Sequence, residues 1–223
     1  MRPVARGPSP RIFKDYRDAA EPLKGRLGRY CSYCEKNLDN APAVEHVLPK
    51  GRHPTLINDW ENFLLACVIC NSIKGDQNVD RTEYCFPDED NTFLAFQYSK
   101  GGRVKVNHHL ASPQQKMAST TIELLGLDRY PGHPKITRRD DRALIRREVW
   151  DIAVVAREDL ARNRNQELMR SIVETMKGKG FWSVWMTVFH DDREMRQRFI
   201  DALAGTHTDS FDSDTQPVPR GKI

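Results

Sequence analysis

The chain has 223 residues, 35 Lys and Arg against 31 Asp and Glu, and a formal charge of +4. That length fits one elaborated domain or two small ones, and 39% hydrophobic with 30% charged residues is wet without being the composition of a disordered chain. A membrane protein is excluded, because the longest apolar run, Phe63 to Cys70, falls far short of the ~20 residues of a spanning helix. Met1-Arg-Pro-Val-Ala-Arg-Gly-Pro8 is basic and broken by Pro and Gly, with no apolar stretch behind it. No secretory signal is expected from it, and the reading is cytoplasmic. In a reducing compartment four paired cysteines are expected as metal ligands and not as disulfides.

In chain order, residues 1–10 are expected to be loose. Ile12, Phe13, Tyr16, Ala19, Ala20 and Leu23 recur at helical spacing, interrupted by Pro22, which predicts one short helix or two within an N-terminal segment 1–29. Residues 30–80 form a cysteine-flanked core, with turn formers at 37–42 and 49–54. The runs 93–98 and 103–106 are β-like, and Ser99-Lys-Gly-Gly102 between them predicts a hairpin. A helix is expected around 119–127 and a long one from about 139 to 176, stopped by Gly178-Lys-Gly180. The aromatic run 181–189 is expected in the core, followed by a last helix over 192–203. Residues 81–205 are thus mainly helical, and 206–223 are expected to be a tail. The arginines between 138 and 164 alternate with acids, which predicts a solvated, salt-bridged face in preference to a nucleic-acid stripe. The fold class is α+β.

Cys31-x-x-Cys34 and Cys67-x-x-Cys70 are two identical knuckles. Zinc takes four ligands tetrahedrally and each knuckle presents two thiolates, so the pair predicts one structural Zn²⁺ site. Cys85 lies outside the pattern and is expected as a small buried hydrophobe. Between the knuckles lie Val44-Glu-His-Val-Leu-Pro-Lys50 and Asp59-Trp-Glu-Asn-Phe-Leu-Leu65, and the second knuckle continues as Cys70-Asn-Ser-Ile-Lys-Gly75. A histidine is able to accept a proton from water near neutral pH, and a carboxylate with an amide oxygen suits Mg²⁺ or Mn²⁺. Neighbours on a regular strand point to opposite faces, so Glu45 and His46 cannot share one ligand unless the chain bends there.

This set of positions resembles the HNH nuclease family: C-x-x-C, an acidic residue with His and a nearby Pro, an Asn before a Leu-rich stretch, then C-x-x-C-N-x-x-K-G. The resemblance implies a ββα-metal core stapled by the four-cysteine zinc, in which the Glu45–His46 pair ends a bent hairpin strand. It implies His46 as general base, Glu45 and Asn71 as holders of one catalytic Mg²⁺ or Mn²⁺, and Asn62 as the residue that ties down the loop after His46. Lys74 and Lys50 are expected to meet substrate phosphates. Glu45 stands where Asp is more frequent, and Asn71 where His is common. A looser resemblance, carried by Trp60 to Cys67, Phe86-Pro-Asp88 and Thr121 to Asp128, is to the small HNH nuclease subunits of Septu-type and retron antiphage systems. It implies an ABC-type ATPase as protein partner, in keeping with a sequence that carries no P-loop motif. The implied activity is metal-dependent cleavage of nucleic acid, DNA favoured. A tRNA- or RNA-cleaving effector and a non-catalytic zinc module that binds nucleic acid or protein are the alternatives.

Overall fold

The computed structural model describes residues 1–38 and 42–223; the middle of the turn expected over 37–42 lies outside the described residues. The cysteine-flanked block is built on a short antiparallel ribbon. Strand β1 (Ala43–His46) pairs with β2 (Phe63–Ala66) in a register that sets Ala43 opposite Ala66 and His46 opposite Phe63. Phe63-Leu-Leu-Ala66 shows no alternation because all four side chains are fully buried, as in a strand covered on both faces. Helix α2 (Val68–Lys74) starts immediately afterwards, with Cys67 extended at its N-cap. The order is strand, strand, helix, and the fold is α+β with a ββα unit at the four cysteines.

The first knuckle docks on this ribbon through its backbone. The Ser32 N–H donates to Leu65 O at 2.8 Å, which brings residues 31–34 alongside the strand leading into Cys67. On the other side, Glu35 adopts a positive φ of 66° and turns its buried carboxylate into the remainder of the chain. That carboxylate accepts from the Ser183 N–H at 3.0 Å, the Ser183 hydroxyl at 2.6 Å and the Arg2 N–H at 2.5 Å. Gly180 lies against the same turn, and a Cβ there would sit 2.5 Å from Glu35 O.

Several expected elements shift for local reasons. Tyr16–Ala19 is a 3₁₀ turn capped by the Asp15 carboxylate, and helix α1 (Ala20–Leu27) follows. Pro22 falls in its first turn, where a missing N–H costs no helical bond. Residues 93–95 are not strand: Asn91 accepts from the N–H groups of Phe93 and Leu94 and sets up a single turn, α3 (Thr92–Ala95). The hairpin is therefore β3 (Phe96–Ser99) with β4 (Arg103–Val106). Helix α4 runs over Ser112–Leu125. The single long helix expected over 139–176 is two, α5 (Arg142–Arg162) and α6 (Gln166–Lys179). Asn165 breaks it by accepting the Leu168 N–H at 2.8 Å, and Arg164 turns outward to Asp192 at 2.6 Å and Glu194 at 2.8 Å. Helices α7 (Trp182–Val188) and α8 (Arg193–Ala202) close the helical part around Trp182, Trp185, Phe189 and Phe199, all buried. Trp182 Nε1 donates to Phe199 O at 2.9 Å.

Neither the expected loose start nor the expected tail is free. Met1, Arg2, Val4 and Arg6 are buried, and Val4 pairs with Thr206. Asn91 Nδ2 donates to Ser210 O and Val218 O at 2.8 and 2.7 Å, and Lys222 Nζ reaches Asp90 at 3.0 Å. Polar segments of this kind settle on a core when their backbone groups find partners there. Cys85 is buried as expected; burial pushes its thiol up to about 11, and its N–H donates to Thr121 Oγ1 at 2.9 Å. No helix among the described residues is long and apolar enough to cross a membrane.

The tightest approach between the hairpin and the helices is at Gly102, whose φ is +74° and whose Cβ, if present, would overlap the Ala143 carbonyl oxygen. Gly102→Ala combines left-handed strain with a backbone clash. We expect it to cost roughly 2–4 kcal/mol of stability, read as a lowered denaturation midpoint. Gly101→Ala, where nothing lies within 4 Å, is expected to cost clearly less.

Candidate active site and metal centre

The Sγ atoms of Cys31, Cys34, Cys67 and Cys70 all lie within 4.8 Å of one another, and all four residues are buried. Cys34 Sγ and Cys67 Sγ are 3.6 Å apart, well beyond a ~2.05 Å disulfide and near the ~3.8 Å edge of a tetrahedron with ~2.3 Å zinc–sulfur bonds. Each knuckle turns a backbone N–H onto its own first sulfur: Cys34 N–H to Cys31 Sγ at 3.5 Å, and Cys70 N–H to Cys67 Sγ at 3.4 Å. Burial pushes the Cys34 and Cys70 thiols up. Hydrogen bonds from Cys31, Cys34 and Cys70 pull the Cys67 thiol far down. Such a set is able to ionise fully only around a cation, and its donor chemistry is that of zinc.

Beside the cluster opens a cleft of about 610 Å³, whose walls include Tyr16, Glu45, His46, Lys50, Asn71, Lys74 and Asp76. Glu45 and His46 both face it because His46 is the last residue of β1 and the chain bends at Val47 and Leu48. His46 Nε2 meets Ile57 O at 2.9 Å. A carbonyl only accepts, so Nε2 carries the proton and Nδ1 is left with its lone pair. Among the described residues Nδ1 has no hydrogen-bond partner, and it is not one of the sealed-off orphan atoms. The ring is wedged edge-on between Phe63 at 5.2 Å and Tyr16 at 4.8 Å. Burial lowers the His46 pKa below the ordinary histidine value; the Ile57 carbonyl opposes this, and the Lys50 and Lys74 ammonium groups reinforce it.

Asn62 holds the loop behind His46. Its Nδ2 donates to Leu48 O at 2.9 Å, its Oδ1 accepts the Leu48 N–H at 2.7 Å, and its own carbonyl accepts the Val47 N–H at 2.9 Å. Asn71, on α2, also lines the cleft. Glu45 is buried, and its Oε1 takes the Lys74 ammonium at 2.9 Å and the Tyr33 hydroxyl at 3.4 Å. Its Oε2 has no partner among the described residues. Burial raises the Glu45 pKa, against the pull of Lys74. Glu45 and Asn71 both line this cleft, and a carboxylate with an amide oxygen is hard donor chemistry of the kind that suits Mg²⁺ or Mn²⁺.

The placement of Lys74 departs from the expected phosphate contact. Its side chain is 1% exposed, and besides Glu45 it donates to the His46 carbonyl at 2.8 Å. An ammonium this buried, and already held by a carboxylate and a carbonyl, is not placed to meet a substrate phosphate. Lys50 is exposed and donates to the Tyr16 hydroxyl at 2.8 Å, its nitrogen 4.4 Å above the Tyr16 ring. Tyr16 and Asp76 are cleft residues that the sequence reading missed. Asp76 directly follows Lys74-Gly75 and was accessible by adjacency. Tyr16 comes from outside the motif, and no sequence signal marks it.

Residues 31–77 match the family model described as HNH endonuclease. The protein is also similar to "Septu protein PtuB" of Bacillus thuringiensis, with 29% identity over 101 residues, which is 44% of this chain and 36% of that protein. The match thus spans about a third of the relative's length. The two resemblances read from the sequence, to the HNH family and to Septu-type proteins, therefore stand.

Asn62→Ala would leave the Leu48 N–H and C=O, held by a 97% buried side chain, without partners. We expect a loss of about 1–3 kcal/mol and, because that loop carries Ile57 on to Nε2, a histidine ring less firmly fixed. Denaturant titration together with broadening of the His46 ring resonances checks both.

Proposed function

We propose that this protein is a metal-dependent endonuclease that hydrolyses phosphodiester bonds of nucleic acid, DNA favoured, as the cytoplasmic nuclease subunit of an ATPase-gated antiphage system. The observation that carries the reading is His46: an imidazole tied to a backbone carbonyl through Nε2, with Nδ1 open to a cleft shared with Glu45 and Asn71. A neutral histidine so anchored is arranged to take a proton from water. The HNH match over residues 31–77 and the similarity to the Septu protein support the wider assignment. The ATPase partner rests on the Septu-type resemblance alone.

In this reading Nδ1 of His46 accepts the proton of the attacking water, while Ile57 O keeps the ring oriented and stabilises the imidazolium that forms. Glu45 Oε2 and the Asn71 amide oxygen would hold the divalent ion, which when bound supplies a positive charge for the phosphorane and the leaving oxygen. Lys74 fixes Glu45 and the His46 backbone from α2, so it acts on the site through those groups. Lys50, exposed with Tyr16 beneath it, would meet a phosphate. Cys31, Cys34, Cys67 and Cys70 would carry the structural zinc.

The test is cleavage of supercoiled plasmid and of tRNA, each with Mg²⁺ or Mn²⁺, by the protein alone and with a copurifying ATPase. His46→Ala is expected to slow cleavage by ~10²–10⁴-fold with an unchanged zinc content; equal rates for the two proteins would remove His46 from the chemistry. The base works only when neutral, and burial lowers its pKa. Activity should therefore persist down past the ordinary histidine value of ~6.5 and be lost only at lower pH, as Nδ1 becomes protonated. An acid limb lying above that value would contradict the assignment.

A further inference from the structure

The four-cysteine centre receives one hydrogen bond from far outside the matched segment. Arg142, the first residue of α5, is 1% exposed, and its Nη1 donates to Cys70 Sγ at 3.2 Å. The remaining donors are all occupied. Nη1 also reaches Leu125 O at 3.0 Å, Nη2 reaches Gly126 O at 2.8 Å and Asp140 Oδ2 at 2.7 Å, and Nε reaches Asp140 Oδ1 at 2.8 Å. The guanidinium fork is thereby fixed by a bidentate carboxylate and by two carbonyls at the end of α4, so its last N–H has one place to point, and a sulfur occupies it.

The sign of the charge favours this contact. A divalent ion with four thiolates is a buried group of net charge −2, and such a group is stable only where donors and cations face it. The knuckles supply one backbone N–H each. Among the described residues the buried charged groups near them include Arg142 with its partner Asp140, Arg146 one turn further along α5, and the Glu35 carboxylate, which follows Cys34 and is turned to Ser183 and the Arg2 N–H. Arg146 is also buried, donating to Gly102 O at 2.6 Å.

We propose that Arg142 is a positioning residue of the four-cysteine metal site: by donating to the Cys70 thiolate it retains the metal and couples α4 and α5 to it. This inference rests on the reading of the cluster as a metal site. Partners of metal ligands are worth roughly 10–100-fold in affinity. Lysine, a point donor without the fork, does not replace the set.

The experiment uses the full chain as wild type, Arg142→Lys, Arg142→Met and Arg157→Gln, the last removing an exposed ion pair to Asp191 on the same helix. Metal content of the purified wild type comes first, and a protein without metal overturns the metal-site reading itself. With metal present, zinc release to a colorimetric chelator should be at least ~10-fold faster in Arg142→Lys and Arg142→Met and unchanged in Arg157→Gln. In the Co²⁺-loaded protein the sulfur-to-metal charge-transfer band should move to lower energy once the N–H···S bond is gone, a shift that mere loosening of α4 would not produce. Wild-type release rates and an unmoved band in Arg142→Lys overturn the proposal. Should neither Arg142 variant fold, the cadmium-loaded wild type decides it. A through-hydrogen-bond correlation between the metal and an arginine side-chain N–H supports the contact, and its absence overturns it.

Discussion

Four sulfurs within 4.8 Å of one another are the constraint from which the placement of the other site residues follows. Two knuckles far apart in sequence meet only if the chain between them leaves and returns, and the β1–β2 ribbon is the shortest return available. Because α2 starts at Cys67, the position of the second knuckle fixes where Asn71 and Lys74 stand, one and two turns on. The Ser32–Leu65 backbone bond fixes the first knuckle against the same strand. The metal centre and the cleft are therefore two faces of one small unit, and loss of the cluster would misplace the cleft residues along with it.

The second organising contact is the buried pair of Lys74 and Glu45. Removing two charges from water is costly, and such a pair holds only when the remaining donors are also satisfied. Here the ammonium has a further partner in the His46 carbonyl and the carboxylate has the Tyr33 hydroxyl. The benefit of this arrangement is geometric: helix α2 grips both the side chain of Glu45 and the backbone of His46. On the proposed reading that grip holds one carboxylate oxygen in place and leaves the other for the divalent ion. A lysine that looked like a phosphate contact in the sequence thus contributes to the site from underneath.

What was legible in the sequence was whatever spacing alone determines. The knuckles, the Gly-Gly hairpin and the aromatic core over 181–189 follow from turn chemistry, periodicity or ligand count, each decided within a few residues, whereas the bent strand end at Glu45–His46 came from the family resemblance. The errors came where a tertiary partner decided. Lys74 is indistinguishable from a surface lysine until Glu45 is opposite it. Residues 1–10 and 206–223 are polar enough to read as free, yet they pair at Val4 and Thr206, Thr92 holds Met1, and Asn91 holds Ser210 and Val218. The break at Asn165 depends on one side chain choosing the Leu168 N–H, a competition that periodicity does not resolve. Tyr16 enters the cleft from the 3₁₀ turn before α1, which packs on β1 and sets its ring against His46.

The same logic revises the meaning of the charge. A net +4 with alternating arginines suggests a solvated helix, and Arg157, Arg162 and Arg164 do pair on the surface with Asp191, Asp159 and Asp192. Arg142, on α5 with Arg157 and Arg162, points inward, where burying a guanidinium calls for its donors to be used or for an anionic neighbour. For Arg142 that neighbour is a cysteine sulfur. A cation that the sequence assigns to solvent or to a polyanion is instead bound to the protein's own anionic centre. The cations that the cleft wall exposes are Lys50, over Tyr16, and Arg17, which is paired with Asp15. On the proposed reading, phosphate contacts at these two side chains would make binding salt-dependent.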